Sequence, residues 1–264
     1  VNIVRGGPGV GNIAPGRSDS FRATRGGGHG DYRHIVLAPS SVQEIIDLMG
    51  LAFDLADRYR NPVMVVGDGI LGQMMEPVEL TEEEPPVLPA KPWATIGTGG
   101  RGRTNIINSL YIVPEELEAV NRRLAAKYAR MQEEQRWDTY RLDGAEVVVV
   151  AYGTMARIAR AAVDRACARG VAAGLIRPVT LWPFPRRAFA QVGPGARCFL
   201  AVEMSAGQMV EDVRLAVEGA RPVHFYGRTG GVVPSVREVA EAIIKVAGGA
   251  TGGQDLCQAS SADV

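Results

Sequence analysis

An arginine at the end of an apolar strand is the first feature with chemical promise. Val1-Asn2-Ile3-Val4 runs straight into Arg5-Gly6-Gly7-Pro8-Gly9, and α/β proteins hold ligands where parallel strands end in loops. A guanidinium is the natural bidentate partner of a carboxylate, and glycines let backbone come close to whatever is held. Arg5, Gly6, Gly7 and Pro8 therefore form a candidate carboxylate-binding edge. An ion pair between Arg5 and a nearby Asp accounts for the same residues equally well. A second glycine loop, Gly26-Gly27-Gly28-His29-Gly30-Asp31, also permits a close backbone approach, and His29 reads simplest as a hydrogen-bonded loop residue.

Other motifs fail the context their chemistry needs. Gly9-Val10-Gly11-Asn12-Ile13-Ala14 fits G-x-G-x-x-A after a strand. A dinucleotide turn must open a helix whose N-terminus holds the pyrophosphate, yet Pro15-Gly16 follow at once. Gly67-Asp68-Gly69 has the opening of the magnesium-diphosphate turn of thiamine enzymes. The Asn pair that turn requires is missing, since Asn105 and Asn108 stand apart, so a strand-ending turn is the better reading. His29, His34 and His224 include no i, i+4 pair, and Cys167, Cys198 and Cys257 form no CxxC. No metal site is expected from them, and cysteines so far apart suit a reducing compartment, so the expected location is cytoplasmic. The 29 basic and 29 acidic residues cancel, which implies neither nucleic acid nor a membrane surface as partner. No apolar run approaches the ~20 residues that span a bilayer.

The elements that must position these residues follow βαβ grammar. His34–Ala38 reads as a buried strand. Ser41 and Glu44 suggest a capping box, and Ile45, Leu48, Met49, Ala52, Phe53 and Ala56 recur at helical spacing over 41–60. Val63–Val66 is the next strand. A proline-rich stretch and a Gly/Arg patch over 81–113 read as a linker. Pro114, Glu115 and Glu116 suit a first helical turn, opening a connecting helix over 114–137. Its Leu117, Val120, Leu124, Tyr128 and Met131 stripe reads as a docking face. Strands at 147–151, 171–177, 198–203 and 222–226 alternate with helices at 155–169, 185–192, 207–218 and 235–247. That pattern predicts a mostly parallel sheet with right-handed crossovers. The expected division is 1–80, a linker 81–113, a helix 114–137, a second α/β unit 138–247 and a disordered tail 248–264. A parallel strand needs neighbours and cover on both faces. One beginning at Val1 is therefore expected to have sequence before it.

The loops together carry a family resemblance. Arg5–Gly11, Gly26–Tyr32 (GGGHGDY), Leu37–Ser41 (LAPSS) and Asn61–Glu76 (NPVMVVGDGILGQMME) resemble the α-subunit of 2-oxoacid:ferredoxin oxidoreductases. Ala151–Ala156 (AYGTMA), Ile176–Pro185 (IRPVTLWPFP), Glu203–Val213 (EMSAGQMVEDV) and Phe225–Pro234 (FYGRTGGVVP) continue the match in order. The wording is nearest the branched-chain, 2-oxoisovalerate type, with the 2-oxoglutarate type next.

The resemblance implies an α/β protein: part of a thiamine-pyrimidine-binding-like parallel-sheet domain, then a transketolase C-terminal-like domain. It implies thiamine diphosphate shared with a β-subunit that carries Mg²⁺ and an Fe–S cluster, further ferredoxin-like subunits, and ferredoxin as acceptor. The implied reaction converts a 2-oxoacid and coenzyme A to acyl-CoA, CO₂ and reduced ferredoxin. Arg5 matches the family arginine near the substrate carboxylate, with Gly6, Gly7 and Pro8 beside it. His29, Gly30 and Asp31 would belong to the wall of that cleft. The family's Tyr-Pro-Ile-Thr-Pro motif and pyrimidine-activating glutamate have no counterpart here, and neither Glu76 nor Glu82–Glu84 replaces it. No catalytic residue is expected in these 264 residues, and the chain alone is expected neither to bind thiamine diphosphate tightly nor to turn over. A non-catalytic scaffold subunit and a free-standing CoA- or nucleotide-binding protein are the alternatives.

Overall fold

A computed structural model describes residues 1–8, 10–80, 90–98 and 100–249. Gly9, the Glu82–Glu84 run, Cys257 and the expected tail from residue 250 onward lie outside the described residues. The elements are β1 (Asn2–Val4), α1 (Ser20–Arg25), β2 (Ile35–Leu37), α2 (Val42–Tyr59), β3 (Val63–Asp68) and α3 (Pro114–Met131). They continue with β4 (Trp137–Tyr140), β5 (Val147–Val150), α4 (Gly153–Cys167), β6 (Ala173–Pro178), β7 (Thr180–Trp182) and α5 (Arg186–Phe189). β8 (Cys198–Glu203), α6 (Met209–Val217), β9 (Val223–Gly227) and α7 (Val236–Ala247) complete the run.

Two sheets result, in strand orders β1-β3-β2-β7 and β4-β6-β5-β8-β9. In the first, β1 and β2 both run parallel to β3, β1 against its C-terminal half and β2 against its N-terminal half. In the second, β6, β5, β8 and β9 are parallel and β4 is an antiparallel edge. Alternation along β5 divides the packing, as a two-residue period demands. Val147 and Val149 join Met155, Ala159 and Ile243 under α4 and α7. Val148 and Val150 face a core that also takes in Val213, Phe199, and Val36 and Val66 of the first sheet. The two sheets thus share one body of buried side chains.

Several sequence expectations need correction. Residues 20–25 form a helix that no apolar periodicity announced. The helix expected over 114–137 ends at Met131, and Trp137–Tyr140 pairs antiparallel with β6. Only the C-terminal end of α3 is docked: Met131 is buried, whereas Leu117 stays exposed. The helix expected over 185–192 is confined to Arg186–Phe189. β7, far along the chain, pairs antiparallel with β2 and so completes the first sheet. Glu44 does not close a capping box on Ser41. Ser41 Oγ accepts from Glu44 N at 3.1 Å, but the Glu44 carboxylate accepts instead from Ser40 N at 2.8 Å and from Arg177.

Candidate functional site

The C-terminal ends of β1, β3, β5 and β8 meet along one seam. At its rim Arg5 leaves β1 with an exposed side chain that donates to the carbonyls of Val10 and, at 3.0 Å, Asn12. Among the described residues no carboxylate pairs with Arg5, so the Arg–Asp alternative is not what the fold builds. The guanidinium instead closes its own loop. That loop is stitched by Gly6 N to Ala14 O at 2.7 Å, Gly16 N to Val4 O at 3.4 Å, and a bridge between Arg5 and Pro15. Gly6 is buried, and a Cβ there would stand 2.7 Å from Asn12 Oδ1 and 2.9 Å from Gly231 N. Asn12 Nδ2 also donates to Gly230 O at 2.7 Å. The first glycine loop is therefore seated on the Gly230-Gly231 turn after β9. Gly7 has open space around its Cβ position.

Beneath the loop lies a charged cluster that sequence reasoning missed. Arg17 is 2% exposed, with Nε 3.4 Å from Asp68 Oδ2 and its guanidinium 5.0 Å above the Tyr152 ring. All its side-chain nitrogens, together with Asp68 Oδ2, Tyr152 OH and Thr154 Oγ1, are buried without a hydrogen bond. Gly153 makes room for it: φ is +57°, and a Cβ would lie 2.1 Å from Arg17 Nη2. Asp68 Oδ1 accepts from Ile70 N and Leu71 N, so Gly67-Asp68-Gly69 is a strand-ending turn. Burial pushes the Tyr152 phenol well up, against the opposing pull of Arg17. Burial also raises Asp19, partly offset by Arg17 and by the Asn2 amide at 2.8 Å.

On the far side, the turn after β8 is built around a buried carboxylate. Glu203 accepts from Val210 N at 2.8 Å, Met209 N at 3.0 Å, Gln208 N at 3.1 Å and Ser205 Oγ at 2.9 Å. Four such bonds favour the anion, but burial outweighs them and holds the carboxyl above its usual range. Nothing in composition or periodicity pointed to this turn; only the EMSAGQMVEDV stretch, read as resemblance, touched it.

The second glycine loop is placed elsewhere. Gly26–Arg33 leads from α1 into the N-terminal end of β2, whereas Arg5 lies beyond the C-terminal end of β1, and among the described residues no hydrogen bond joins the two loops. His29, Gly30 and Asp31 are exposed, with Asp31 at φ +64°. Tyr32 OH accepts from Gly27 N at 2.6 Å. Asp31 and Arg33 line a groove of about 470 Å³ with Tyr128 and Trp182.

The parallel α/β architecture, with loops gathered at strand ends, is a ligand-binding class of fold, and sequence comparison narrows it. Residues 1–135 match the thiamine-diphosphate-binding model of pyruvate flavodoxin/ferredoxin oxidoreductases, and residues 145–239 match pyruvate:ferredoxin oxidoreductase core domain II. The chain belongs to this family. It is 47% identical, over 94% of its length, to a ketoisovalerate oxidoreductase subunit of Methanothermobacter thermautotrophicus, and spans 70% of that protein. It is 30% identical, over 92% of its length and 72% of the relative's, to a 2-oxoglutarate synthase subunit of Methanothermobacter marburgensis. A solved 2-oxoglutarate:ferredoxin oxidoreductase from Magnetococcus marinus superposes with TM-score 0.74 at 21% identity, over 93% of this chain and 48% of that one. That superposition speaks for the fold.

For thiamine diphosphate the described residues offer few free groups. Arg5 is exposed at the rim and donates to the carbonyls of Val10 and Asn12. Of the acids nearby, Asp19 accepts from Asn2 and Asp68 Oδ1 from its own turn, while Asp68 Oδ2 faces Arg17 Nε at 3.4 Å. Among the described residues no group of three or more His, Cys, Asp or Glu is placed to hold a metal. No helix of the described residues is long and apolar enough to cross a membrane.

Proposed function

We propose that this chain is the α-subunit component of a 2-oxoacid:ferredoxin oxidoreductase of the branched-chain type. The enzyme would convert 2-oxoisovalerate and coenzyme A to acyl-CoA, CO₂ and reduced ferredoxin. The observation that carries this reading is the gap between 47% identity to a ketoisovalerate subunit and 30% to a 2-oxoglutarate one, over nearly the same span. Thiamine diphosphate, when bound, supplies the carbanion chemistry. Arg5 would orient the substrate carboxylate with a charge-assisted bond, while Gly6, Gly7 and Pro8 form the backbone edge that lets it approach. His29, Gly30 and Asp31, exposed on the second glycine loop, would belong to the wall of the substrate cleft in the assembled enzyme.

Mg²⁺, the Fe–S cluster and the carboxylate that activates the pyrimidine are assigned to other polypeptide, in a β-subunit and in sequence outside these 264 residues. The cytoplasm is the proposed compartment, since cysteines so far apart suit reducing conditions. Exposed aliphatic side chains support assembly with partner subunits: Ile96, Ile106, Leu110 and Ile112 are each more than two-thirds exposed along one stretch. Co-expression with β- and ferredoxin-like subunits of a ketoisovalerate oxidoreductase, followed by CoA-dependent viologen reduction, tests the reading. Faster turnover with 2-oxoisovalerate than with 2-oxoglutarate is expected, with none from the 264-residue chain by itself. Preference for 2-oxoglutarate would overturn the substrate, and assembly without turnover would favour a scaffold role.

A further inference from the structure

We propose that Gln208 is a positioning residue for the Arg5 loop: the turn between β8 and α6, set by Glu203, fixes where that loop sits. Its importance for substrate rests on the reading of Arg5 given above.

The chain of contacts is short. Glu203 gathers the N–H groups of Gln208, Met209 and Val210 and the Ser205 hydroxyl, which leaves the Gln208 backbone little freedom. The Gln208 side chain then reaches across to the first sheet and makes two bonds of opposite sense. Its Nε2 donates to Ser18 O at 2.9 Å and its Oε1 accepts from Phe21 N at 2.9 Å. Arg17 N donates to Met204 O of the same turn at 3.0 Å. Segment 17–21 is therefore held at three backbone atoms by one turn of the other sheet. An Arg25–Asp212 ion pair at 2.9 Å fixes the helix that follows.

That segment is the direct continuation of the Arg5 loop. Gly16, two residues before Ser18, lies against Arg5 itself, where a Cβ would stand 2.7 Å from Arg5 O. A shift of Ser18 therefore passes to Arg5 with no slack between. A side-chain amide suits the task because it holds a donor and an acceptor at fixed separation without carrying charge. Displacement of a reacting or orienting group by about 1 Å can cost up to a hundredfold in rate, so a clamp on backbone is worth having here. The rival account is that Gln208 only caps the start of α1. It predicts loss of stability without any effect on the loop or on substrate.

The test uses the assembled oxidoreductase with Gln208→Met, which keeps volume and removes both bonds, and Gln208→Glu, which keeps only the acceptor for Phe21. Hydrogen exchange is read at the amides of Gly6, Asn12, Gly16 and Arg17, alongside KM and kcat for 2-oxoisovalerate. Gln208→Met should speed exchange at these amides, leave those of α2 unchanged, and raise KM by about tenfold more than it lowers kcat. Gln208→Glu should fall between it and the parent, and decides the matter if Gln208→Met does not assemble. Unchanged exchange over 6–17 in whichever variant assembles would overturn the proposal. Arg5→Gln, measured in parallel, separates the two readings. If it leaves KM unaltered the carboxylate assignment fails, while the exchange result still decides the role of Gln208.

Discussion

Two buried arginines join the sheets, and they are held in opposite ways. Arg177 of β6 is fully matched: its Nη atoms take both Glu44 carboxylate oxygens at 2.8 Å, Nη1 also meets Ser40 Oγ at 2.8 Å, and Nε meets Asp138 at 2.9 Å. Arg17 is more deeply buried, and among the described residues its side chain makes no hydrogen bond, its charge met by Asp68 at 3.4 Å and by the Tyr152 ring. A satisfied buried network contributes to stability and a single arrangement, whereas an unsatisfied one is tolerated where the site has another use. Arg177 thus belongs to the frame. Arg17 lies under the loop that presents Arg5, where exact placement outweighs stability.

The sharpest way to break that contrast is to remove each arginine. Arg177→Ala leaves the half-buried Glu44 and the more exposed Asp138 unpaired and should cost about 1.5–3 kcal/mol in denaturant unfolding. The paired replacement Arg17→Met with Asp68→Asn removes both charges and should stay within about 1 kcal/mol of the parent. Equal losses would erase the distinction.

Glycine substitution sharpens it further. Gly153→Ala meets a left-handed φ, about 1–2 kcal/mol for an L-residue, and also collides with the Arg17 guanidinium. Gly170→Ala meets φ +85° but nothing within 4 Å of its Cβ. The first should lower the melting temperature more, and should also loosen the Arg5 loop in exchange experiments.

The smallest effects are those of pH, and they differ in sign. Burial alone would push Glu44 up, but its bonds from Arg177 and Ser40 prevail and hold it below its ordinary value. Its stabilisation is present above the unfolded value and lost as pH falls through the folded one. Glu203 lies above its ordinary value, so the fold favours its protonated form and loses stability as pH rises through that range. Against the parent, Glu44→Gln should therefore fare worse as pH rises from acid towards neutral, and Glu203→Gln better. Melting curves across that range check both.

Much of the frame was legible because parallel strands buried on both faces read as apolar runs. Val147–Val150 and Cys198–Glu203 are instances, each wholly buried. Ser41 announced the start of α2 for a reason of local chemistry, its hydroxyl satisfying a free N–H. β7 was not legible, because Thr180–Trp182 is short and its partner Val36 lies far back in the sequence. The Trp137–Tyr140 edge was not legible because its middle residues, Asp138 and Thr139, are polar and exposed, and only its two ends pack against the cores. At the site, Arg5 stood out as a cation at a strand end. Arg17 did not, since a charged residue among glycines reads as solvated loop, and its burial depends on Asp68 and Tyr152 arriving from both sheets. Gln208 acts through two backbone atoms, which leave no trace in the side-chain pattern.

The strand-end seam is proposed to present Arg5 to the carboxylate of a 2-oxoacid. Steady-state kinetics of the assembled oxidoreductase with Arg5→Ala test it most directly. Loss of one charge-assisted contact is worth about 1.5–3 kcal/mol, so kcat/KM for 2-oxoisovalerate should fall by roughly tenfold to a hundredfold. Assembly and electron transfer from reduced clusters to ferredoxin should be intact. An unchanged kcat/KM would contradict the account.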